Sequence, residues 1–173
     1  LPIVDTFMAI ASRREGRSYA ERAIPEEVER RILDAGRLSG SSQNRQPWHF
    51  DVVADRALVE RLAELVYAPS NLLGAALVVA ISVVGKGPLA FDTGRAAQNM
   101  MLAAWNEGVV SCPNGIKDRE RAAELLGLEE GERIEIVLSF GYPDPRRDPE
   151  SRSAEEWSQR ANRKPLEEVV RRL

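Results

Sequence analysis

Apolar residues at Ile3, Phe7, Ile10 and Ala11 recur at helical spacing and predict an opening amphipathic helix over residues 2–13. Pro25 followed by Glu26 and Glu27 marks a second helix start, because proline tolerates the first turn and carboxylates favour the positive end of the helix dipole. Val28, Ile32, Ala35 and Gly36 then share one face, which carries that helix to about Leu38. Residues 48–53 alternate enough to form a strand, with a short helix over 55–65 behind it. Residues 75–84 are rich in valine and isoleucine without alternation, the pattern of a central strand covered on both faces. Asp92 reads as the N-cap of a long helix ending near Gly108. Its wide apolar face holds Ala96, Ala97, Met100, Met101, Ala104 and Trp105, small enough in places for close packing in a core or against a second copy. A short strand over 109–112, a helix over 118–126 stopped by Gly127, and a strand over 133–140 complete the body. From Gly141 onward Pro143, Pro145 and Pro149 alternate with charges, which predicts an extended arm lying over a surface. The architecture is therefore α+β: one domain over residues 1–173, a sheet with helices around it, and an arm over residues 143–173.

Composition narrows the functions such a domain can have. A chain of 173 residues, 43% hydrophobic and 29% charged, can bury a real core. Its net charge of −3 gives no general attraction to nucleic acid or to an anionic membrane. The apolar run over 72–84 is too short to span a bilayer and is broken by Gly74. No charged-then-apolar segment opens the chain, and the expectation is a cytoplasmic protein. The single cysteine, Cys112, excludes an intrachain disulfide and a cysteine metal cage. The single histidine, His49, excludes a multi-histidine metal site, and a Ser-His-Asp triad would have to use this residue of a predicted strand. Chemistry in this chain therefore points to a bound cofactor.

Two segments carry candidate chemistry. Arg13, Arg14 and Arg17 come together where the first helix ends, and guanidinium groups grip phosphate through paired hydrogen bonds. Taken alone, such a cluster is also what a solvated helix end presents. Residues 39–48 lead from small turn formers through the amide cluster Gln43, Asn44 and Gln46 into Pro47-Trp48. Amides supply donors and acceptors together, which suits the edge of a flavin or pyrimidine ring, although a Ser/Gly loop has the same composition.

In order along the chain, Arg13-Arg14-x-x-Arg17, Pro25-Glu26-Glu27 and Ser41-Ser42-x-Asn44-x-Gln46-Pro47-Trp48 resemble the N-terminal signature of the FMN-dependent nitroreductase family. Asp92-x-Gly94-x-Ala96-x-Gln98-Asn99-Met100 resembles its long central helix, and Gly141-Tyr142-Pro143 and Arg163-Lys164-Pro165-Leu166 its late strand end and closing segment. The resemblance implies a central mixed, mainly antiparallel sheet and an arm extending to the partner of a homodimer. It implies two shared FMN sites, NADPH or NADH as electron donor, and a nitroaromatic or quinone acceptor reduced by a ping-pong route. No side chain is assigned a catalytic role, because flavin N5 carries the chemistry. Matching positions place Arg13, Arg14 and Arg17 on the phosphate and pyrimidine side, joined by Arg163 from the arm. Ser41, Ser42 and Asn44, with Gln46 in the same loop, would face the ring from the other subunit, and Asn114 and Gly115 would pass its reactive edge with a backbone amide.

Departures from the pattern matter as well. Glu15 stands among the arginines, Gly40 replaces a common proline, and Ala161 replaces a second basic residue near Arg163. Asn71 precedes the central strand but receives no assignment. Only residues 86–91 separate that strand from the long helix, where many family members insert a lid, so the flavin face should be open or covered by the partner alone, and discrimination broad. A flavin-holding redox sensor without efficient turnover, or a relative that fragments flavin or removes halogen, are the alternative readings.

Overall fold

The computed structural model describes residues 5–173, so Ile3 of the predicted opening helix lies outside it. The first helix, α1 (Thr6–Ser12), is capped by Asp5, whose carboxylate accepts from the Met8 amide. It buries Ala9, Ala11 and Ser12 and leaves Phe7 and Ile10 62% and 55% exposed, so the larger apolar residues point away from the body. The next helix, α2 (Glu26–Arg37), follows Pro25 and buries Val28, Ile32 and Gly36. A Cβ at Gly36 would sit 2.8 Å from Phe50 and 2.9 Å from the Met100 sulfur, so the missing side chain sets how closely this helix approaches its neighbours.

Strands β1 (Trp48–Val52), β2 (Leu77–Val83), β3 (Val110–Asn114) and β4 (Arg133–Gly141) form a sheet in the order β1-β2-β4-β3. All of these pairings are antiparallel, so the parallel pair of a mixed sheet is not found among the described residues. Every residue of β2 is buried. Its Leu77, Val79, Ile81 and Val83 pack toward α2 and the long helix α5 (Leu89–Asn106). Val78 and Ala80 face the opposite core, with Val59 and Leu62 of α3 (Arg56–Ala63), Leu72 of α4 (Ser70–Leu73) and Ala122 of α6 (Arg119–Leu126). Burial on both faces is why this strand shows no alternation.

Three expectations change. Asp92 is not an N-cap: α5 begins three residues earlier, after Pro88, and Asp92 lies in its first turn. The small-residue face of α5 is spent inside its own chain, where Ala96, Ala97, Met100, Met101 and Ala104 pack with Val28 and Ile32, and offers nothing to a second copy. The arm is not extended throughout. It forms a short 3-10 turn, Pro149–Ser151, then α7 (Ala154–Arg160) and α8 (Leu166–Val169). A capping box between Ser153 and Glu156 starts α7, which folds back onto α1 of the same chain. No helix of the described residues is long and apolar enough to cross a membrane.

Candidate functional site

The end of α1 is pinned from below. Ser12 Oγ donates to the Met8 carbonyl at 2.6 Å and accepts from Trp105 Nε1 of α5 at 2.9 Å. The chain then runs along edge strand β3, with the Gly16 amide donating to the Ser111 carbonyl at 3.1 Å. Only glycine fits there, since a Cβ would lie 2.3 Å from Val110 Cγ2. Tyr19 closes the segment: its hydroxyl donates to the Gly16 carbonyl and shares a hydrogen bond with Ser139, both at 2.9 Å. Burial pushes this phenol up to about 12.

This scaffold holds a cationic cluster. Arg14 donates to the carbonyls of Ala11, Arg13 and Trp157 and lies 5.8 Å over the Trp157 ring, which docks the arm. Burial, then the charges of Arg163 and Arg13, hold the Arg14 guanidinium below its ordinary value. Arg13 Nη1 is buried and has no hydrogen-bond partner. Like charges crowded around an unsatisfied buried donor are costly in isolation, and an anion with several acceptor oxygens relieves both costs. Arg17 differs. The nearby Cys112 sulfur, and then Glu15, to which Arg17 donates at 3.3 Å, raise its pKa, so a ligand phosphate would compete with Glu15 for it.

The amide loop sits elsewhere. Ser39 is buried, donating to the Ala35 carbonyl at 3.0 Å and accepting from Asn99 at 2.7 Å. The Ser42 amide donates to Asp92 Oδ2 at 3.0 Å, so the buried carboxylate ties this loop to the first turn of α5. Ser41 Oγ accepts from the Gln46 amide at 2.8 Å. Gln43, Asn44 and Gln46 have φ of 54°, 54° and 50°, a left-handed concentration that non-glycine residues adopt at functional turns. The side chains of Asn44 and Gln46 are exposed. Gly40, where a proline is common, has a role of its own here: a Cβ there would fall 2.3 Å from Arg95 Nη2, so glycine leaves room for that guanidinium.

At the end of β3 the side chain of Asn114 turns inward. It donates to the Cys112 carbonyl at 2.9 Å and to Ser139 Oγ at 3.0 Å, and accepts from Asn71 at 2.9 Å. Asn71 and Asn114 therefore tie α4 to β3 within the core, and what remains for a ligand is backbone and the exposed Gly115. Tyr67, 75% exposed, rests beside Gly115, whose carbonyl accepts from its amide at 3.0 Å. Sequence reasoning missed Tyr67 and Arg95, because each reaches its loop through tertiary contacts that no local pattern encodes.

One chain does not bring the two groups together. The arginine segment hugs edge strand β3 and Trp105, whereas the amide loop feeds the opposite edge, β1, and is tied to Asp92. Asp92 and Trp105 lie thirteen residues apart on α5, which is ~20 Å along the helix axis. A groove of about 830 Å³ between α2 and β1 touches only Gln46 among the assigned residues.

The nitroreductase family pattern matches residues 10–81 and 72–142, which together span most of the chain. The chain belongs to the nitroreductase family. A protein of Archaeoglobus fulgidus provisionally named NADH dehydrogenase/NAD(P)H nitroreductase is 34% identical over 149 residues, covering 80% of this chain and 86% of that protein. The NADH dehydrogenase of Thermus thermophilus is 27% identical, with 98% and 97% covered. Its alignment runs over 209 positions, so this nitroreductase family member lacks segments that the relative carries. Among solved structures, the NADPH:FMN oxidoreductase of Vibrio harveyi complexed with NAD+ shares the fold with a TM-score of 0.80 at 24% identity, covering 95% of this chain and 75% of that one.

Proposed function

We propose that this nitroreductase family member is an FMN-dependent oxidoreductase that takes electrons from NADPH or NADH and delivers them to quinone or nitroaromatic acceptors. The observation that carries the reading is the buried, unpartnered Arg13 Nη1 beside Arg14 and Arg163, a cationic site built for a terminal phosphate. Family membership and relatives with NAD(P)H-linked names support the same chemistry. The residues present fit FMN. Arg13, Arg14 and Arg163 would hold its phosphate, Ser41, Ser42, Asn44 and Gln46 the polar edge of its ring, and the backbone at Asn114 and Gly115 its reactive edge. Arg17 joins them only by exchanging Glu15 for the ligand.

Bound FMN supplies a carrier for two electrons and a proton, so donor and acceptor can use the site in turn. The net reaction with a quinone is NAD(P)H + H⁺ + quinone → NAD(P)⁺ + hydroquinone, and water can provide the remaining proton. The chain's own work is to bind, orient and screen; no residue need act as nucleophile or general base. The working unit is a homodimer with two shared sites, because the arginine cluster and the amide loop of one chain lie on opposite sheet edges and ~20 Å apart along α5. Two antiparallel copies would set the cluster of one against the loop of the other. The exposed Phe7 and Ile10 of α1, and Leu166, Val169 and Val170 of the tail, supply the apolar surface such a contact would cover.

Purified protein should be yellow and release FMN, not FAD, on denaturation, and NAD(P)H should bleach it anaerobically. Double-reciprocal plots against donor and acceptor should be parallel. A colourless protein that gains no flavin signal on titration with FMN would end this reading.

A further inference from the structure

On the outer face of α5, next to the amide loop, lies an open depression of about 560 Å³ lined by Ala90, Phe91, Gly94, Arg95, Gln98 and Asn99. Its charged wall is Arg95. That guanidinium is held between two surfaces: it lies 5.7 Å from the ring centre of Phe91 and lies where a Cβ of Gly40 would be, 2.3 Å from Nη2. Arg95 makes no ion pair among the described residues. The acidic residue one turn back, Asp92, is buried and its Oδ2 accepts from the Ser42 amide instead. Phe91 is 67% exposed, an aromatic face left to solvent on the same wall. Asn99 uses its amide nitrogen on Ser39, which leaves its oxygen, and Gln98 adds a second polar group at the rim. Phe91 lies in the first turn of α5, directly after the short link over 84–88 from β2.

We propose that this depression is the acceptor subsite and that it selects planar aromatic acceptors bearing a carboxylate. Arg95 pairs with the carboxylate in a bidentate fork, and Phe91 offers a face for the aromatic ring. The inference rests on the proposed flavin reading, since Arg95 touches Gly40, one residue before the loop assigned to the flavin ring. The openness left by the missing lid then tolerates many shapes, while charge supplies discrimination.

The test compares 4-nitrobenzoate with its neutral isostere 4-nitrobenzamide on the FMN-loaded protein at low ionic strength. Wild type should favour the carboxylate in kcat/KM. In Arg95→Gln the ratio of the two values should fall roughly tenfold, the lower end of what one charge-assisted hydrogen-bonded pair contributes. Phe91→Ala should lower kcat/KM for both acceptors alike and leave their ratio intact. Calorimetric titration of 4-nitrobenzoate in the absence of any electron donor reads the same site without turnover, and its affinity should also weaken roughly tenfold in Arg95→Gln. A colourless, inactive protein that still binds 4-nitrobenzoate through Arg95 would defeat the flavin reading and spare the subsite. An unchanged ratio in Arg95→Gln, equal losses with both acceptors, or loss of bound FMN from that variant would overturn the proposal.

Discussion

Arg13 shows how a single atom can separate binding from stability. Its buried Nη1 has no acceptor and its neighbours are cations, so the side chain does not help hold the apo protein together. Arg13→Ala should weaken FMN binding by about 1.5–3 kcal/mol, the usual loss for a charged hydrogen bond, while the urea midpoint of the flavin-free protein does not fall. Flavin fluorescence titration and denaturation of the same preparation read the two effects separately. Tyr19 gives a pH signature of the opposite kind. Its phenol is raised to about 12 in the folded state, against 10.0 unperturbed. The folded protein thus holds this proton more tightly than the unfolded chain. The stability it confers is complete below pH 10 and is lost as pH rises through 12, a change on the order of 3 kcal/mol. Denaturation midpoints at pH 9 and 11 should differ by more in wild type than in Tyr19→Phe. The arginines were legible as a cluster in the sequence, but their partners were not. That the Cys112 sulfur lies close enough to Arg17 to raise its pKa, and that Asn114 turns into the core toward Asn71, depend on residues far along the chain.

The elements themselves were largely readable. The unalternating run of β2 announces a strand covered twice, Pro25 and Gly127 mark a start and a stop, and the Ser153–Glu156 box lies openly in the sequence although the prolines around it argue for an extended arm. Illegible were the start of α5 and the true role of Asp92, because a carboxylate in a first turn looks alike whether it caps its own helix or holds a distant loop. Asp92→Ala should therefore leave α5 helical by circular dichroism yet free the Ser42 amide, and lower both FMN affinity and stability by about 1–3 kcal/mol. The arginine segment depends on close backbone contact in the same way. A Cβ at Gly141 would meet Tyr19 Cγ at 2.7 Å and its Cβ at 2.9 Å. Gly141→Ala must push Tyr19 off the sheet, which should cost ~1–3 kcal/mol of stability, and FMN occupancy should drop with it.

For the whole molecule, the decisive geometry is that the arginine cluster and the amide loop lie at opposite ends of α5. A mixed dimer with Arg13→Ala in one chain and Asn44→Ala in the other should contain one intact and one doubly damaged site, visible as a biphasic FMN titration with half the flavin bound at wild-type affinity. Two equally weakened sites would instead place both residues in one chain's pocket. The proposed sharing, with part of a site at each end of one rod, would also couple cofactor supply to protein concentration. Each ligand would then clamp two chains together, so association and loading would draw on the same free energy. At FMN a hundredfold above its dissociation constant, each filled site adds about 2.7 kcal/mol in favour of the assembled state. Dilution should strip flavin from the protein, flavin starvation should split the assembly, and the melting temperature should climb with the concentration of either one.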